Sequence, residues 1–295
     1  MENINGADLD QKVYDLFDDY VHSRINRREF LNQVTRYAVT GLSAAAILDF
    51  LSPNYALASQ VAPNDSRLQS DYVTYDSPKG GGKMKGLLSR PVKHNKKLPA
   101  IVVVHENRGL NPYIEDVTRR CAVDNYLAFA PDALTPLGGY PGDDDKGREM
   151  QQKRDREVIL QDFIAAYHFL KTHPECNGKV GVVGFCFGGW VANMMAVNLS
   201  DLTAAVPFYG MQPAEDDVPK IHAPLLLHYA ELDSRVNEGW PQYEKALKKN
   251  NKKYKEYMYP GVNHGFHNDT TPRYDKAAAE LAWQRTMDFF KATLA

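Results

Sequence analysis

"VGVVGFCFGGW", residues 180–190, carries a valine-rich run straight into glycines set around one cysteine. The run reads as a strand buried on both faces, and the residues after it as the start of a helix. Gly184-Phe185-Cys186-Phe187-Gly188 is therefore G-x-C-x-G at a strand-to-helix junction. A sharp turn there holds the central side chain above the sheet, and flanking glycines avoid clashes around a strained backbone. The helix that follows points its N-terminus at the cysteine, which favours the thiolate. A small buried cysteine at a glycine-rich packing contact is the plainer reading, and the pentapeptide alone leaves both open.

Working outward, the flanking segments alternate. "DYVTYDS" and "KMKGLLSRPV", separated by "PKGGGK", read as an antiparallel strand pair. "LPAIVVVHE" is a continuous β-branched run, Pro112 to about Asn125 is helical, and "YLAFAPD" is another strand. One long amphipathic helix is expected from about Lys146 to His173, with Ile159, Phe163, Ala166, Tyr167 and Leu170 on a stripe. After the cysteine come strands "LTAAVPFYG" and "APLLLHYAELD", helix "WPQYEKALKKN", strand "YKEYMYP" and a last helix from about Ala277 to Ala292. Strands alternating with helices predict one α/β domain over 59–295, a mostly parallel central sheet with helices on both faces. Right-handed crossovers then gather the strand ends, and any site, on one edge.

Composition excludes several classes of function. The 295 residues hold 35 basic and 37 acidic side chains, a net charge of −2, so nothing marks a nucleic-acid partner. Three cysteines are too few for a disulfide framework. No apolar run reaches the roughly 18 to 20 residues of a membrane span. No metal and no cofactor is expected.

Residues 1–58 differ from the rest. Arg27-Arg28 precede Phe30-Leu31, a mildly apolar stretch "YAVTGLSAAAILDFL" follows, and Ala56-Leu57-Ala58 fits a small-x-small cleavage site. This resembles a bacterial twin-arginine export signal, which implies a periplasmic mature protein starting at Ser59. Against that pattern, six acids (Glu2, Asp8, Asp10, Asp15, Asp18, Asp19) face only Lys12 in the first 23 residues, and Asp49 interrupts the apolar stretch. The alternative is a retained helical extension on a cytoplasmic protein, with Leu9, Val13, Phe17 and Tyr20 as an apolar face.

A nucleophile on such a turn needs an acid and then a histidine, each after a later strand. Asp233 ends "LLLHYAELD" and His264 follows "YKEYMYPGVN". Glu231 and His267 are their rivals. His22 and His94 come too early in the chain, His168 and His173 belong to a helix, and His222 and His228 precede the acid, with His228 read as a satisfied core residue. Cys186, His264 and Asp233 would activate sulfur through a base that the carboxylate orients. In "VVVHENRGLNPY" the loop after the strand would supply one oxyanion-hole N–H from Asn107, with the second from Phe187. Glu106 then sits beside the site, unless it only pairs with Arg108.

"HENRGLN", "GFCFGG", "ELD" and "PGVNHGF", in that order, resemble the dienelactone hydrolase family over roughly residues 68–295. The resemblance implies the α/β-hydrolase fold in its cysteine branch and hydrolysis of a small-molecule lactone or activated ester through a thioester. It implies Cys186 as nucleophile, His264 as base, Asp233 as orienting acid, and Glu106 as the carboxylate that holds the resting thiol. The family's arginines for a substrate carboxylate have no counterpart at the matching positions: "HGFHND" brings Arg273 only later, and "ALTPLGGYPGDDD" holds none. Two other readings stay open: a thiol redox sensor in which Cys121 or Cys176 resolves Cys186, and a non-catalytic binding module on the same fold. The acidic run "GDDDKGRE" reads as solvated surface, with residues 138–147 as a candidate lid.

Overall fold

The computed structural model describes residues 9–37, 42–57 and 59–295. An eight-stranded sheet runs in the order β1-β2-β4-β3-β5-β6-β7-β8. β1 (Leu68–Ser77) and β2 (Gly82–Pro91) form the antiparallel edge, and β2 also pairs antiparallel with β4 (Leu127–Pro131). The other neighbours are parallel: β4 with β3 (Leu98–Val104), then β5 (Cys176–Phe185), β6 (Ala204–Phe208), β7 (Leu225–Ala230) and β8 (Tyr254–Tyr259).

Period-two alternation of the strands sorts side chains to the two faces. In β3, Ala100, Val102 and Val104 join the core beneath α6 (Arg156–Lys171), α7 (Phe187–Asn198) and α9 (Trp240–Lys249). Ile101 and Val103 join the opposite core, beneath α4 (Pro112–Val123) and α10 (Lys276–Leu294). Each fully buried Val, Leu or Ile contributes about 1.5–3 kcal/mol of transfer free energy, which explains why these strands are apolar on both faces.

The helix expected over Lys146–His173 is two. α5 (Asp144–Gln152) ends at Lys153, and Asp155 starts α6 by accepting the N–H groups of Glu157 and Val158 at 2.9 and 3.0 Å. An N-cap inside an otherwise periodic stretch splits the helix without disturbing the apolar stripe.

Among its described residues the N-terminal segment holds three α-helices, α1 (Gln11–Val21), α2 (Arg27–Val34) and α3 (Ala44–Leu51). The expected face is buried: Leu9, Val13, Phe17 and Tyr20 form a third core with Phe30, Val34, Ile47, Leu48 and Leu51. Asn26 and Glu29 close a capping box at the start of α2, leaving Arg27 and Arg28 exposed. Glu2, Asp8 and Ala58 lie outside the described residues. Among the described residues, no helix is long and apolar enough to cross a membrane.

Candidate active site

β5 delivers Cys186 at a backbone φ of +56°, in the left-handed region that a non-glycine residue adopts only at a cost. The turn holds because its glycines make room. A Cβ on Gly184 would stand 1.9 Å from the carbonyl oxygen of Gly188. The Cys186 N–H also donates to the Phe208 carbonyl at 3.1 Å, fixing the elbow to β6. Phe187 is the first residue of α7, where a backbone N–H has no partner within the helix. Asn107 lies in the loop after β3, and its side-chain amide donates to the Val21 carbonyl at 2.6 Å.

Asp233 follows β7 and caps the short helix α8 (Ser234–Asn237), its Oδ1 accepting the Val236 N–H at 3.2 Å. Its Oδ2 accepts from His264 Nδ1 at 2.5 Å. With Nδ1 so engaged, His264 Nε2 is buried and without a hydrogen-bond partner among the described residues. A ring nitrogen of His264 lies within 4.8 Å of the Cys186 sulfur. His267 faces elsewhere: its Nδ1 accepts from Tyr113 Oη at 2.6 Å and its ring stacks on Phe185. Burial, with Arg120 and His228 nearby, pushes the His267 pKa well below the ordinary range. His228 is the core histidine expected, bonded to Tyr259 and Thr286 and pushed down to about 3 by burial and by Arg285. Glu231 is exposed and accepts the Gly261 N–H.

The sulfur's hydrogen-bond partner is a residue that chain order had set aside. His22, at the C-cap of α1, places Nε2 3.1 Å from Cys186 Sγ. Its Nδ1 donates to the Asp18 carbonyl at 2.8 Å and sits 3.2 Å from the Asp18 carboxylate. Burial pulls the His22 pKa down, but the Asp18 carboxylate, the Cys186 sulfur and their hydrogen bonds outweigh it and leave it raised. Burial likewise pushes Asp18 up, and His22, His264 and Arg235 together hold it well below the usual carboxylate range. Arg235 on α8 ties the two halves together: its Nε donates to Asp18 Oδ2 at 2.8 Å, and its Nη2 lies 3.1 Å from His22 and 3.3 Å from His264. The only signal of this in the sequence is Asp18 and His22 at i,i+4 on one helix; nothing local says where that helix docks.

Two other expectations meet different geometry. Glu106 is buried, and the hydrogen bond given to its carboxylate is from Asn268 Nδ2 at 3.1 Å, not from the thiol. Arg108 does not pair with it either, since Asp144 takes that guanidinium at 2.7 Å. The acidic run around Asp144 is thus not simply solvated surface. Asp144 also accepts from Tyr55 and Tyr140, and Asp145 accepts from Tyr20 at 2.6 Å, so both carboxylates clasp the N-terminal segment to the body. Cys121 and Cys176 are buried free thiols, and burial pushes both pKa values up, which leaves little thiolate for redox exchange.

A cavity of about 410 Å³ opens over the sulfur, its wall including Arg24, Arg148, Arg154, Arg156 and Arg235. Four of these have carboxylate partners, Asp19, Asp145, Asp162 and Asp18 respectively. Arg156 instead lies over the Trp190 ring, its Cζ 3.4 Å from the ring centroid, and has no ion pair among the described residues. His22, Cys186 and His264 bring N, S and N donors together, a set that zinc accepts. The Arg235 guanidinium against both imidazoles places a fixed positive charge where a dication would sit.

Comparison with known proteins matches residues 84–294 to the Dienelactone hydrolase family, and residues 1–37 to a family described as YqhI-like. The "Putative carboxymethylenebutenolidase" of Saccharolobus solfataricus is 30% identical over 257 residues, covering 74% of this chain and 97% of that protein. "Putative hydrolase fragment YghX" of Escherichia coli is 58% identical over 114 residues, 39% of this chain and 97% of the fragment. Among solved structures, a "Putative Dienelactone Hydrolase" from Klebsiella pneumoniae superposes with a TM-score of 0.68 at 25% identity, over 76% of this chain and 99% of its own.

Proposed function

The chain belongs to the dienelactone hydrolase family, and from that premise we propose that it cleaves a lactone or activated ester by way of a thioester on Cys186. The observation that carries the reading is the strained Cys186 elbow, with the Asp233–His264 pair ending at the same sheet edge. Sulfur attacks the carbonyl, the leaving oxygen departs, and water activated by an imidazole cleaves the thioester. The N–H groups of Asn107 and Phe187 hold the tetrahedral oxyanion, each worth about 2.7–4 kcal/mol in related sites. Good leaving groups suit this chemistry, and amides do not.

The substrate we favour carries an anionic group. Arginines are absent where the family resemblance would put them, yet the cavity wall supplies others, and Arg156 is the one whose charge is unspent. Trp190 beneath it offers an apolar platform for the rest of the molecule.

We also propose that residues 1–58 stay on the mature enzyme. What supports retention is the buried core of α1–α3 and the contacts of Asp18, Val21 and His22 with the site. Exposed Arg27 and Arg28 leave the pair open to an export machinery, so the proposal concerns the segment and not the compartment. A panel of aryl esters, lactones and thioesters with and without a carboxylate tests the chemistry. Wild type should turn over, Cys186→Ala should fall to background, and an acyl adduct of the substrate's mass should map to Cys186. Full turnover by Cys186→Ala would refute the thioester route.

A further inference from the structure

We propose that His22, oriented by Asp18, is the base that takes the proton of Cys186, so that α1 contributes to the catalytic centre and His264–Asp233 serves the water step. The inference rests on Cys186 being the nucleophile.

The thiol is flanked by two imidazoles that stand differently toward it: His264 is hydrogen-bonded to the buried Asp233 carboxylate, whereas His22 donates to the Asp18 main-chain carbonyl and has the half-buried Asp18 carboxylate 3.2 Å away. His22 Nε2 faces the sulfur at 3.1 Å, with Nδ1–H donated to the Asp18 carbonyl, so its lone pair is shared between the thiol and Arg235 Nη2, which also lies 3.1 Å from it. His264 Nε2 is buried and unpartnered, placed to meet a water that enters with the acyl group. An Asp-backed imidazole in contact with a nucleophile is the arrangement that fixes tautomer and generates the attacking anion. Among the described residues, the groups that face His22 are Asp18 from α1, Cys186 from the elbow, Arg235 from α8, and His264 from the loop after β8 with Asp233 behind it. Arg273 approaches Asp18 at 3.8 Å from further along that loop. The position at the C-terminal end of α1 also favours a cationic ring.

Protons balance. The Sγ–H proton passes to His22 Nε2 and the thiolate adds to the carbonyl carbon. The bond to the leaving oxygen breaks with its electron pair on oxygen, and His22 returns its proton there. His264 Nε2 then takes a proton from water as the water oxygen attacks the thioester. The carbon–sulfur bond breaks with its pair on sulfur, and that proton restores the thiol. One ester and one water give one acid and one alcohol.

The test is pre-steady-state kinetics with 4-nitrophenyl acetate on the full chain, beside iodoacetamide alkylation of Cys186 across pH. His22→Gln should slow the nitrophenol burst about 10²-fold or more, since positioned bases contribute 10²–10⁴-fold. It should move the alkylation profile to higher pH, and added imidazole should recover part of the burst. His264→Ala should keep the burst and stall, leaving acetyl on Cys186 by intact mass. Asp18→Asn should show a smaller loss of the same kind, and decides the matter if His22→Gln does not fold. A wild-type burst and alkylation profile in both His22→Gln and Asp18→Asn would overturn the proposal. So would a faster burst, the mark of an inhibitory plug. Full turnover by Cys186→Ala would instead sink the cysteine reading, whereas a dead Cys186→Ala beside an unaffected His22→Gln would sink only the role of His22.

Discussion

Gly184 has no room for a side chain, because a Cβ would stand 1.9 Å from the Gly188 carbonyl oxygen, a backbone atom of the same turn. Gly184→Ala should therefore destabilise the protein by about 1–3 kcal/mol, the ordinary cost of overpacking, and lower esterase activity with it. Thermal melts beside initial rates check this; an unshifted melt would mean the turn relaxes freely. The same steric demand makes the Cys186 elbow legible in the sequence, since a turn with no room for a side chain at Gly184 or Gly188 writes itself into five consecutive residues. Asp233 and His264 are legible as a pair because each follows a strand at the same edge, and they meet in a hydrogen bond. His22 is not legible: its approach to the sulfur is a tertiary contact between residues 164 positions apart. The partner of Glu106 is hidden for the same reason, as Asn268 arrives from the far end of the chain.

At the scale of elements, strand and helix order follows from alternation and β-branched runs, and what the sequence blurs is where one helix gives way to the next. Asp155 lies among charged residues on a stripe that stays in phase across the break, so periodicity cannot see it. α1 is bound to the body largely through charge, and that gives its docking a pH dependence with a definite sign. The docked pKa of His22 is raised above its free value of about 6.5, so its contribution is complete below that pH and is lost as pH climbs through the raised value. The docked pKa of Asp18 is depressed below its free value of about 3.9, so its contribution is complete above that pH and is lost as pH falls through the lowered value. Docking should be tightest between about pH 4 and 6.5. Tryptic cleavage after exposed Arg24, normalised to a free peptide of the same sequence, should accelerate toward alkaline pH in wild type. In Asp18→Asn it should be fast already near pH 6.5. Equal rates for the two proteins across that range would mean the ion pairs do not hold the helix.

At the scale of the whole molecule, the sheet with its two cores is one body and the N-terminal helices hold a third core laid across its functional edge. That arrangement bears on whether residues 1–58 are a disposable leader. Removing them would strip Arg235 of its Asp18 carboxylate and take His22 from the sulfur. It would also free the Asp144 and Asp145 carboxylates from Tyr55 and Tyr20. Uncompensated buried charge is costly, about 3–5 kcal/mol when one partner of a buried pair is lost, so the edge would reorganise rather than persist. A segment whose loss dismantles the site should remain on the enzyme wherever the enzyme works. Peptide mapping of protein purified from its native host should find residues 13–24 on the mature chain, in stoichiometric amount with peptides of α10. A mature chain beginning at Ser59 and fully active toward the same ester would overturn retention, and would return the whole of the chemistry to His264.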